Sequence, residues 1–82
     1  MDEPSTILVV DEDPSIRDVL VQKLEALGYR TLEARNGREA LDQVALEPPD
    51  LILLDVMMPV MDGFQACRLL KDNEDTRLIP II

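Results

Sequence analysis

The chain has 82 residues, 46% of them hydrophobic and 30% charged, which is enough for one small domain and too apolar for a disordered segment. Seventeen acidic residues against eight basic ones give a net charge of −9, which argues against nucleic-acid binding by this segment and suits a cation or a basic partner surface. A single cysteine, Cys67, and the lack of any histidine exclude an internal disulfide and a Cys/His metal centre.

The start, MDEPST, has neither a basic nor an apolar region of the kind a signal peptide needs. Residues 6–10, TILVV, are β-branched and apolar and predict a buried strand. Asp13 followed by Pro14 has the form of an N-cap and a first-turn proline. From there Ile16, Val19, Leu20, Leu24 and Leu27 recur at helical spacing, and Gly28 supplies a C-terminal stop. Residues 29–34 alternate as a second strand, and Asn36-Gly37 gives a turn signal. Residues 38–46 form a short helix with Ala40, Leu41 and Val44 on one stripe, broken by Pro48-Pro49. DLILLD is a third strand, apolar on both faces, and the stretch from Val56 to Gly63 is a loop. Residues 64–73 make a third helix with Phe64, Cys67 and Leu70 inward, Cys67 reading as a small core residue. Residues 78–82, LIPII, begin a fourth strand.

Strands apolar throughout and alternating with helices predict an α/β fold, a parallel sheet covered on both faces with right-handed crossovers. The apolar runs fall well short of the ~20 residues of a membrane helix, so the expected location is the cytoplasm. In open sheets of this kind functional groups gather at the carboxyl ends of the strands. Asp11, Glu12 and Asp13 follow the first strand and Asp55 closes the third. If those strands are neighbours, at least three carboxylates converge, which is unfavourable unless a cation neutralises them. An oxygen-only donor set points to Mg²⁺ or Mn²⁺. A carboxylate beside such a cation can attack phosphorus and form an acyl phosphate. Asp13 fits an N-cap better than a ligand, and Asp50 and Asp62 read as turn or solvated residues. Asp55, directly after LILL, would be desolvated without return if it had no function. The acidic run fails as an EF-hand loop because Ile16 occupies the glycine position, and neither GxGxxG nor a Walker lysine motif is present.

ILVVDED with PSIR, then NGREAL, then PDLILLDVMMPVMDG, resemble the receiver domain of two-component response regulators, in order and along the whole chain. The resemblance implies a flavodoxin-like, doubly wound sheet of order 2-1-3-4-5. It implies Asp55 as phosphoacceptor, charged from the phosphohistidine of a histidine kinase or phosphotransfer protein. It implies Glu12 as a direct Mg²⁺ ligand, Asp11 as a direct or water-mediated one, and Met57 as a ligand through its backbone carbonyl. Pro59 and Gly63 match the family's loop. Such a protein is a switch rather than a turnover enzyme.

Against the family pattern the chain stops after the fourth strand, a βαβαβαβ portion. The Ser or Thr after that strand, the fourth helix, the fifth strand with its Lys and the fifth helix are missing. Residues 1–82 are thus expected to be the N-terminal portion of a single receiver domain, retaining weak Mg²⁺ binding but with phosphoryl transfer slow or absent. The bare LIPII edge predicts a homodimer. A phosphorylation-independent dimerisation or interaction module, and a fragment without a role of its own, are the competing readings.

Overall fold

The computed structural model describes residues 4–54, 63–73 and 78–82. The elements run β1 (Thr6–Val10), α1 (Pro14–Ala26), β2 (Arg30–Ala34), α2 (Gly37–Leu46), β3 (Leu51–Leu54) and α3 (Gly63–Asp72). The three strands form one parallel sheet in the order β2-β1-β3. The chain steps from β1 to β2 in one direction and from β2 across to β3 in the other. Right-handed crossovers therefore put α1 and α2 on opposite faces.

Register fixes the faces. Leu8 stands between Leu32 and Ile52, and Val10 between Ala34 and Leu54. These two rows meet Ala40, Leu41 and Val44 of α2 and Leu70 of α3 to form the core. Ile7 and Val9, of opposite parity, are buried on the other face, where α1 packs against β1 and β2. At the opposite end of the sheet the Thr6 N–H donates to Asp50 Oδ2 and the Asp50 N–H to the Thr6 carbonyl, both at 2.7 Å. Asp50 is thus a turn residue with a specific partner.

The helix ends follow the sequence closely. Asp13 caps α1 by accepting from the Ser15 N–H at 2.8 Å, and Pro14 is the first helical residue. At the far end the Gly28 N–H bonds the Glu25 carbonyl and the Tyr29 N–H the Leu24 carbonyl, with Gly28 at φ +95°. That is a Schellman motif, whose left-handed residue favours glycine.

Several expectations need correction. The inward stripe assigned to α1 is only partly inward: Ile16 is 47% exposed, Val19 51% and Leu27 74%, and every residue of the helix retains exposure. Among the described elements α1 packs chiefly on β1 and β2, with no helix beside it to cover the flanks of its stripe, whereas α2 and α3 pack against each other. Asn36-Gly37 is not a free turn but the start of α2, with Asn36 as N-cap. Gly63 belongs to α3 rather than to the loop before it. Leu70 is buried as expected and Cys67 is half-buried, while the Phe64 side chain lies outside the described residues. The 78–82 segment does run parallel beside β3, through an Ile52–Ile81 bridge, with bonds from the Ile52 N–H to the Pro80 carbonyl and from the Ile82 N–H to the Ile52 carbonyl. The Leu54 N–H to the Ile82 carbonyl, at 2.9 Å, continues the ladder, so the expected fourth strand begins here, from Pro80 onward, after Leu78 and Ile79 turn.

Candidate functional site

Parallel β1 and β3 end together. Val10 and Leu54 are paired, so the residues immediately preceding Asp11 and Asp55 lie side by side at the carboxyl end of the sheet. Asp55, Met57, Pro59 and Asp62 themselves lie outside the described residues. What the structure brings together is the Asp11–Glu12 pair at the end of β1 and an open cavity of about 370 Å³ beside it. Val10, Asp11, Leu20, Leu53, Leu54 and Ile82 line that cavity. The site is therefore a polar rim on an apolar floor.

Each part of the rim is held locally. The Asp11 N–H extends the ladder past β1, donating to the Ala34 carbonyl at 3.1 Å. Asp11 Oδ1 accepts from the Asp13 N–H at 2.9 Å. Asp13 spends its own Oδ1 on the Ser15 N–H, which fits the capping role and not a ligand role. Glu12, between them, is exposed. Arg17, one turn into α1, reaches back: its Nη1 donates to the Asp11 carbonyl at 2.8 Å and its Nε to Glu33 Oε1 at 3.3 Å.

Spacing alone gives Arg17 and Glu33 no role, because an arginine early in a helix reads as part of a solvated face. The only sequence signal is position: Glu33 is an acid near the carboxyl end of β2, and Arg17 is one helical turn beyond the Asp13 cap. Beyond them Arg35 and Glu39 continue the charged surface at the start of α2, around a second cavity of about 260 Å³. The Arg35 side chain, donating to the Glu39 carboxylate, holds its pKa below the usual carboxylate value, and the Arg35 N–H bond adds to this.

Among the described residues no group of three or more Cys, Asp or Glu side chains is arranged to hold a metal. The donor chemistry nevertheless suits a hard cation: two adjacent carboxylates, no histidine in the chain, and Cys67 away on α3.

The family model for the response regulator receiver domain matches residues 7–82. The chain belongs to that family. Response regulator MprA of Mycolicibacterium vanbaalenii is 46% identical over 79 residues, covering 96% of this chain and 33% of that protein. Among solved structures, the N-terminal domain of a response regulator receiver protein from Methanoculleus marisnigri superposes with a TM-score of 0.91 at 48% identity, covering 94% of this chain and 63% of that one. The receiver domain of a sensor histidine kinase from Pseudomonas aeruginosa, a structure with a magnesium ion coordinated in its active-site cleft, superposes at 0.90 with 33% identity, covering 95% of this chain and 64% of that one. The present chain thus spans a third or less of the length of the first curated relatives it matches. Receiver membership also accounts for the sheet order and for helices on both faces, as in the flavodoxin-like fold. No helix among the described residues is long and apolar enough to cross a membrane.

Proposed function

We propose that this chain is a phosphorelay receiver portion in which Asp55 accepts a phosphoryl group from a histidine kinase or phosphotransfer protein in the cytoplasm. The observation that carries the reading is the β1–β3 register, which sets the chain entering Asp55 beside the chain entering Asp11. An Asp55 carboxylate oxygen forms a bond to phosphorus, the phosphorus–nitrogen bond of phosphohistidine breaks, and the imidazole nitrogen leaves with the electron pair and takes a proton from solvent. Asp11, Glu12, Asp55 and the Met57 backbone carbonyl would hold Mg²⁺ or Mn²⁺. When bound, the cation offsets the charge of the carboxylates and of the transferring phosphoryl oxygens. The magnesium-bearing receiver domain from Pseudomonas aeruginosa supports that assignment by similarity. The protein acts as a switch, its acyl phosphate being the signal rather than an intermediate of turnover. A second copy of the chain is the further partner proposed, docking along the 78–82 edge, where Leu78 is 84% and Ile82 75% exposed.

Incubation with acetyl phosphate and Mg²⁺, followed by intact-mass measurement, tests the reading. Expected is an adduct of one phosphoryl group, lost in Asp55→Asn and on chelation. No adduct at any time, or equal labelling of Asp55→Asn, would overturn it.

A further inference from the structure

We propose that Arg17 is a positioning residue for the metal-binding end of β1: it clamps the main chain of Asp11 so that the Asp11 and Glu12 carboxylates are presented together to a divalent cation. The inference rests on the cation reading above. The Asp11 main chain is gripped from both sides, its N–H by the Ala34 carbonyl of β2 at 3.1 Å and its carbonyl by Arg17 Nη1 of α1 at 2.8 Å. Its side chain is turned by the Asp13 N–H on Oδ1 at 2.9 Å. No strand partner bonds that carbonyl among the described hydrogen bonds, so without Arg17 the segment linking β1 to α1 is tethered by the Ala34 bond and the Asp11–Asp13 turn alone.

Arg17 suits the task. Its side chain is only 13% exposed, and the planar guanidinium serves two acceptors in different directions, which an ammonium on a flexible stem cannot do with the same geometry. A buried cation beside a metal site would repel the metal. Glu33, pairing with Arg17 Nε at 3.3 Å, cancels that charge and leaves the guanidinium as a geometric strut. Partners that orient ligands from behind commonly govern metal affinity as strongly as some ligands do.

The test uses Mn²⁺ as probe. Its binding to wild type, Arg17→Ala, Arg17→Lys and Asp11→Asn is followed by electron paramagnetic resonance. Amide hydrogen exchange at Asp11, with Leu8 and Val9 as core references, is measured without metal. Arg17→Ala is expected to lose Mn²⁺ affinity on the order of tenfold and to speed Asp11 exchange, with Leu8 and Val9 unchanged. Arg17→Lys is expected to keep the fold and recover only part of the affinity. Should Arg17→Ala fail to fold, Arg17→Lys carries the same reading. Wild-type affinity and Asp11 exchange in either folded variant would overturn the proposal, as would a uniform acceleration of exchange that includes Leu8 and Val9. Failure of the wild type to bind Mn²⁺ would instead remove the cation reading, while Asp11 exchange still judges the clamp.

Discussion

Arg35, Asn36 and Glu39 together decide where α2 begins. Asn36 Oδ1 accepts from the Glu39 N–H at 2.9 Å, and Glu39 returns the bond to the Arg35 N–H at 2.9 Å. This is a capping box reaching one residue further back than usual, closed by the Arg35 side chain on the second Glu39 oxygen at 3.0 Å. A carboxylate at this place also meets the positive end of the helix dipole. Because the folded state holds the Glu39 pKa below its ordinary value of 4.5, the stabilisation is fully present above that value and is lost as pH falls through the lower folded pKa. Glu39→Gln keeps one oxygen, enough for the Arg35 main-chain N–H, and replaces the other with an NH2 that cannot accept from Arg35 Nε, so the charge and the side-chain bond are removed together. Thermal unfolding from pH 7 downward is expected to show a small deficit for Glu39→Gln at neutral pH that closes as pH falls below 4.5 through the lowered folded pKa. A deficit independent of pH would show that the charge does not matter.

Among the elements, β1 and β3 carry the fold unequally with the helices around them. Ile52 is fully buried at the centre of the core rows, whereas Leu27, last of the expected α1 stripe, is largely exposed. Ile52→Ala is expected to cost about 2–5 kcal/mol, and Leu27→Ala within about 0.5 kcal/mol, read by chemical denaturation. Comparable losses would mean that α1 buries the stripe its periodicity suggests. Strand β1 and the α1 and α2 stripes were legible because each depends on neighbours in sequence: side-chain period, an N-cap, a glycine after the last turn. The exposure of Ile16 and Val19 was not, because periodicity finds a helix's apolar face without saying which neighbours cover it. The 78–82 segment reads as a strand by composition. Its pairing with β3 runs from Pro80 to Ile82, while Leu78 and Ile79 turn instead of pairing, a distinction that apolarity does not record.

At the scale of the molecule, the acidic end of the sheet was legible once two strands could be taken as neighbours, and the Val10–Leu54 pairing bears out that adjacency. The Arg17 clamp was not, since it joins residues from three elements through a guanidinium whose reach spacing does not encode. The opposite flank of β3 carries the apolar residues Leu78 and Ile82 in solvent. Association through that flank works against a net charge of −9 on each copy, so it strengthens as salt screens the repulsion. Light scattering at micromolar concentration is expected to give a dimer, favoured by salt and shifted to monomer by Leu78→Lys. A monomer at every salt concentration would exclude self-association through this edge.

The Thr6–Asp50 clip has a consequence in time as well as in space. Among the described strands the earliest in the chain is the middle strand of the sheet, and its N-terminal N–H is matched by a carboxylate 44 residues later. As the chain leaves a ribosome at roughly 5–20 residues per second, β1 waits seconds for its second neighbour. Its apolar residues depend meanwhile on α1, β2 and α2 for cover. Arrival of Asp50 ends that wait, anchoring β3 by its first turn before the acidic end beyond Leu54 can be assembled.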